Sequence, residues 1–145
     1  MKILEHILAA KGTGVVSIAP DAMVFDALVL MEEHNIGSLA VIQGAKLVGI
    51  ITERDYVRKV ILKGKSSKKT PVSDIMTSKV FAAKPQMPIE DAMALMNAKR
   101  IRHLPVKERS KLLGMVSMGD LVKATLAEKT FVIQQLEHYI EGELF

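Results

Sequence analysis

One stretch of this chain is written twice. Gly49-Ile50-Ile51-Thr52-Glu53-Arg54-Asp55 returns sixty-five positions later as Gly114-Met115-Val116-Ser117-Met118-Gly119-Asp120. The shared pattern is a glycine, two apolar residues, a hydroxyl, two variable positions and an aspartate. Residues 20–55 align without a gap on residues 85–120, and twelve of the thirty-six pairs are identical, Pro20/Pro85, Asp26/Asp91, Met31/Met96 and Leu39/Leu104 among them. Ordinary composition gives about two such matches. The chain is an internal duplication, so whatever fold one half adopts the other is expected to share.

The periodicity within each half sets the element order. Residues 2–10 carry Ile3, Leu4, Ile7 and Leu8 on one face of a short helix, which Gly12 and Gly14 end. Val15, Val16 and Ile18 form a short extended run before Pro20. Val24, Ala27, Leu28 and Met31 follow helical spacing, as do Ile89, Ala92, Met93 and Met96 behind Pro88. Two short apolar strands follow in each copy, over 38–42 and 47–51, then 103–106 and 112–116, and a helix follows each aspartate. The fold class expected is α/β (α+β): two pseudo-symmetric β-α-β-β-α repeats packed through their sheets around one core, with extra helices at both ends. A unit of about 60 residues buries too little surface to stand alone. The divisions expected are an N-terminal helix (1–10), repeat 1 (11–63), a flexible linker (64–71), repeat 2 (72–126) and a C-terminal helix (127–145) with Val132, Leu136, Tyr139 and Ile140 on one side. The apolar helix faces left over suggest a homodimer.

Composition excludes several chemistries. With no cysteine there is no disulfide, thiolate catalysis or cysteine-ligated zinc, and a reducing, cytoplasmic location is the natural reading. His6, His34, His103 and His138 show no ligand spacing, so no metal site is expected. Nothing resembles a phosphate-binding glycine loop or a catalytic triad. No stretch is long and apolar enough to cross a bilayer, and no secretory signal is apparent. The net charge of +4 suits anionic partners. Nucleic acid fits poorly, because the basic stretches lack interleaved aromatics.

The stretches "IGSLAV" and "LVGIITERD" in the first copy, with "IRHLPV" and "LLGMVSMGD" in the second, resemble a tandem pair of CBS (cystathionine-β-synthase-type) domains, a Bateman module. The resemblance covers about residues 11–126. With "DIMT" and "TERDYVRK" it is close to the small stand-alone two-CBS proteins of bacteria and plant organelles. It implies a regulatory protein without catalysis, acting on a client in a separate chain and binding an adenine nucleotide (AMP, ADP, ATP or NAD(H)) in clefts between the repeats.

By that resemblance, Thr52 would meet phosphate and Asp55 ribose in one cleft, and Ser117 and Asp120 would do so in the other. A carboxylate suits the two ribose hydroxyls, and a hydroxyl beside backbone N–H groups suits phosphate. Arg102 and His103 would complete the Asp55 cleft, with Thr77, Ser78, Lys79 and Val80 as its adenine-facing wall. Gly37 and Ser38 would complete the Asp120 cleft, walled by Thr13, Gly14, Val15 and Val16. Gly37 and Ser38 carry no charge, so this second cleft is expected to bind more weakly, differently or not at all. Arg54 and Arg58 lie one turn apart and could also reach phosphate.

Spacing alone leaves blander roles open for the same residues. Thr52–Asp55 and Ser117–Asp120 are also S/T-x-x-D capping boxes. Arg102-His103 could be a solvated basic turn; Lys63 to Lys69 could reach an extended phosphate chain or a second nucleotide half, but a solvated linker is the better reading. A purely structural dimerisation module with empty clefts, or a basic nucleic-acid-associated protein, are the competing functions.

Overall fold

The computed structural model describes residues 2–12 and 14–144, and of residues 130–133 and 137–144 the backbone alone. Its elements run α1 (Leu4–Lys11), β1 (Ser17–Ile18), α2 (Val24–His34), β2 (Ser38–Gln43), β3 (Lys46–Thr52), α3 (Glu53–Tyr56) continuing into a π-helical turn (Val57–Ile61), α4 (Val72–Ile75), α5 (Ile89–Lys99), β4 (His103–Glu108), β5 (Lys111–Ser117) and α6 (Met118–Leu144). The mixed α/β class and the duplicated order agree with the periodicity. In each repeat the central hairpin is antiparallel, with Ser38 opposite Thr52 and His103 opposite Ser117.

The repeats differ in their first strand. In repeat 1, β1 runs parallel to β2 through Ser17–Ala40 and Ile18–Val41. In repeat 2 only the bridge Ala83–Val106 remains. Ala83 N donates to Pro105 O at 2.9 Å, and Lys107 N donates to Ala83 O at 2.8 Å. The next bond outward would need an amide hydrogen on residue 105, the counterpart of Ala40, and proline has none. The extended entry expected at Thr77–Val80 lies ahead of this position and is not a strand, as residues 14–16 are not in repeat 1; Thr77 alone bridges to Ile50.

The apolar residues gather in two clusters rather than one shared core, and each cluster takes in a helix that the chain order assigns to the other repeat. Leu4 and Ile7 of α1 are buried with Ile89, Ala92, Met96, Leu104, Val116 and Leu121 of repeat 2. Val72 and Ile75 of α4 are buried with Val24, Ala27, Met31, Leu39, Ile51 and Val60 of repeat 1. The backbone repeats the exchange. Val24 N donates to Thr70 O at 2.9 Å, while Ile89 N donates to Lys2 O at 3.1 Å. Met23 bridges to Pro71, and Ile3 to Pro88.

This exchange accounts for the motif glycines. A Cβ on Gly49 would lie 2.7 Å from Met76 Sδ and 2.9 Å from Thr77 O, and one on Gly114 would lie 2.5 Å from Leu8 Cδ2. Each glycine leaves room for the leading segment crossing over it.

Two further expectations change. The stretch 64–71 is docked rather than a free linker. Thr70 is buried and its hydroxyl donates to Ser66 O at 2.7 Å, while Val24 N and Phe25 N donate to Thr70 O and Ser67 O. The linker thereby caps α2, which has no side-chain cap of its own. The C-terminal helix is not a separate element, because α6 runs unbroken from Met118. Of the face expected on it, Leu136 is exposed; the side chains of Val132, Tyr139 and Ile140 lie outside the described residues.

Candidate functional site

Two cavities of similar size open beside the two motifs, about 520 Å³ at Asp55 and about 500 Å³ at Asp120. Gly37 and His103 line both. The repeated hairpin explains this shared wall. Gly37 O accepts the Glu53 amide at 3.1 Å, and Arg102 O accepts the Met118 amide at 2.8 Å. Each strand start is thus tied to the motif of its own repeat, while Arg102 faces the Asp55 cleft and Ser38 the Asp120 cleft.

Thr52, Arg54, Asp55, Thr77, Lys79, Val80, Arg102 and His103 come together in the first cleft. Ser78 and Arg58 are not among its lining residues. Gly14, Val15, Val16, Gly37, Ser38, Ser117 and Asp120 come together in the second. Thr13 lies outside the described residues. None of Lys63 to Lys69 lines either cleft; Lys68 lies over the Phe25 ring at 5.0 Å.

Both aspartates close capping boxes. Thr52 N donates to Asp55 Oδ2 at 3.0 Å and Asp55 N to Thr52 Oγ1 at 3.1 Å. Ser117 N donates to Asp120 Oδ2 at 2.8 Å and Asp120 N to Ser117 Oγ at 3.0 Å. Each aspartate also meets a lysine. Lys59 Nζ lies 3.2 Å from Asp55 Oδ1 and donates to Ile75 O at 2.9 Å. Lys11 Nζ lies 2.8 Å from Asp120 Oδ2 and donates to Met115 O at 3.0 Å.

Electrostatically the clefts are unlike. Arg54, Lys79, Lys99, Arg100 and Arg102 line the first against Glu53 and Asp55, whereas Lys11 faces Asp120 in the second. Sequence reasoning missed Lys99, Arg100 and Phe81 in the first cleft, where Lys99 Nζ sits 4.9 Å from the Phe81 ring centre. It missed Lys11 too, so the second cleft does hold a cation, contributed by α1 rather than by Gly37 or Ser38. Only the basic run at Lys99 and Arg100, next to Arg102, carried any signal of this.

His103 is held below its ordinary pKa, chiefly because burial disfavours its charged form. Asp120 raises it and Lys11 and Arg102 lower it further, with a smaller upward pull from Asp55. Burial pushes the Asp120 carboxyl up, but hydrogen bonds from Lys11 and Ser117 and the Lys11 charge outweigh it and hold it below the ordinary carboxylate value. Among the described residues, no cluster of side chains is suited to hold a metal ion and no helix is long and apolar enough to cross a membrane.

A duplicated α-β-β-α unit with two clefts beside matched hydroxyl–aspartate motifs defines a CBS pair, and the CBS domain family model matches residues 12–62 and 72–127. The chain belongs to the CBS domain family. It is 46% identical over 127 residues to the mitochondrial CBS domain-containing protein CBSX3 of Arabidopsis thaliana; the match takes in 84% of this chain but 62% of that relative. A putative signal-transduction protein with CBS domains from Burkholderia ambifaria superposes with a TM-score of 0.84 at 44% identity, over 87% of this chain and 95% of the other. The CBS pair of protein MJ0100, solved in complex with 5-methylthioadenosine and S-adenosyl-L-methionine, shares the fold (TM-score 0.79, 23% identity, 88% and 98% covered).

Proposed function

We propose that this protein is a non-catalytic regulator that binds an adenine nucleotide in the Asp55 cleft and passes the binding state to a separate client protein. The observation that carries the reading is the charge of that cleft: five cationic side chains, drawn from both repeats, outnumber the carboxylates of Glu53 and Asp55 there, beside the Thr52 hydroxyl. Arginine forks and lysine ammoniums match phosphate oxygens, and Asp55 retains lone pairs for ribose hydroxyls. The adenosine compounds bound by the MJ0100 pair support the ligand class. AMP, ADP, ATP and NAD(H) all fit this chemistry.

A ligand held by Asp55 from one repeat and Arg102 from the other bridges the two. It biases their relative arrangement by its differential affinity, and so any surface a client reads. A homodimer, with Phe25 and Val29 on α2 and Val122 and Leu126 on α6 as its exposed apolar residues, and a cytoplasmic location complete the proposal.

The test is thermal unfolding against AMP, ADP, ATP, NAD, NADH, S-adenosylmethionine and GTP, with Asp55→Asn as control. Asparagine keeps an oxygen for the Thr52 amide and removes the charge, which separates ligand contact from capping. A ligand at about 100 times its Kd adds about 2.7 kcal/mol, a shift of several degrees. A selective adenine-ligand shift that Asp55→Asn abolishes supports the reading; the absence of any shift refutes it.

A further inference from the structure

The leading segments of the two repeats correspond at an offset of 68, three more than the bodies of the repeats. Lys2 and Thr70 accept equivalent amides, Ile3 and Pro71 make equivalent bridges, and Leu8 and Met76 cross equivalent glycines. Past that crossing the two segments part: α4 ends at Ile75, whereas α1 stays helical to Lys11 and brings its ammonium to the second cleft, and the lysines of the two clefts are used differently. Lys79 lines the Asp55 cleft while the carboxylate there pairs with Lys59 from its own helix. Lys11 is clasped by Asp120 itself.

That clasp matters because of which oxygen it uses. Asp120 Oδ2 accepts both the Ser117 amide and the Lys11 ammonium, each at 2.8 Å, so both of its lone pairs are engaged. A ribose diol that places one hydroxyl on each carboxylate oxygen has to move the ammonium off Oδ2. Behind the ion pair lies the groove between α1 and α6, about 400 Å³, lined by Lys2 and Lys123 as well as by Lys11 and Asp120 themselves. Lys11 also lines the cleft. An ammonium displaced toward the groove meets Lys2 and Lys123, whereas one displaced toward the cleft can pair with an anionic group on the ligand.

We propose that Lys11 is a specificity-determining latch, which makes the Asp120 cleft admit adenosine ligands carrying an anionic group and exclude neutral nucleosides. The inference rests on the reading of these clefts as adenosine sites. It assigns to the second cleft a selectivity that its strand residues alone do not contain.

The experiment is an amide NMR titration of the full chain with adenosine and with AMP, following Gly114, Ser117 and Asp120 for this cleft and Thr52 and Asp55 for the other. In Lys11→Met, adenosine is expected to bind the Asp120 cleft about tenfold more tightly and AMP about tenfold more weakly than in the parent. Lys11→Arg, which keeps the charge, is expected to preserve the parent's preference. An unchanged ratio of the two affinities in Lys11→Met overturns the latch. So do ligands that perturb only Thr52 and Asp55 in every variant, a result that leaves the nucleotide reading intact. Silence at both clefts overturns both.

Discussion

Asn35 and Arg100 end the two equivalent helices α2 and α5 in nearly the same left-handed backbone, at φ 52°, ψ 50° and φ 54°, ψ 43°. Asparagine is among the few side chains that enter this region readily; arginine is not. The same Arg100 lines the Asp55 cleft. Repeat 2 thus holds a cation at the cleft from a backbone position that disfavours it. Arg100→Asn is expected to raise stability by about 0.5–1 kcal/mol in chemical denaturation. It should also weaken binding of a phosphate-bearing ligand to the Asp55 cleft. A variant that loses both stability and affinity would show that Arg100 is held by packing instead.

The motif glycines make a second comparison. A methyl at Gly49 meets the Thr77 carbonyl, which belongs to a bridged backbone, as well as Met76. A methyl at Gly114 meets the end of one leucine side chain. Overpacking costs about 1–3 kcal/mol, less where a side chain can turn away. Gly49→Ala is expected to lower the midpoint of urea unfolding more than Gly114→Ala.

Neither half should fold alone. A fragment of residues 1–65 lacks Val72 and Ile75, and a fragment of 66–145 lacks Leu4 and Ile7, so each is missing part of its own core. Circular dichroism and amide NMR of the separate fragments are expected to show little cooperative structure, and mixing them should restore it. Within the intact chain, Leu4→Ala is expected to cost about 2–5 kcal/mol, through a cavity in repeat 2 rather than repeat 1.

Acid should weaken the fold in two windows. His103 has a folded pKa below its unfolded one, so the unfolded chain binds more protons just below pH 6.5. Its contribution is present above that pH and declines as pH falls toward the folded value. Asp120 acts in the same direction at lower pH, below the ordinary carboxylate value. Tm is expected to fall as the pH drops from about 7 to about 5.5, and His103→Gln should flatten that part of the profile. Lys11→Met should move the carboxylate limb upward, as read from the Asp120 carboxyl shift in an NMR pH titration.

Much of the fold was legible because periodicity and duplication are local signals. The hairpins, α2 and α5, and the two hydroxyl–aspartate turns all follow from spacing within a few residues. What was hidden depends on partners far along the chain. An amphipathic α1 shows that Leu4 and Ile7 are buried, not that they enter the second repeat. Lys11 looked like a helix end, yet its partner is 109 positions away. The lost strand in repeat 2 turns on one missing amide hydrogen at Pro105, inside a stretch that otherwise matches its counterpart. The docking of 64–71 rests on backbone hydrogen bonds, which a composition of glycine, serine and lysine does not reveal.

The exchange of α1 and α4 has a bearing on how such a chain could arise. A polypeptide holding one unit, a leading helix followed by its β-α-β-β-α body, would find no place for that helix in its own core under this geometry. Two copies would have to trade helices, each completing the other, and would be stable only as a pair. Joining them end to end through 64–71 turns an association that depends on concentration into one that does not. Both clefts, which draw residues from each unit, then exist in every molecule however dilute the protein.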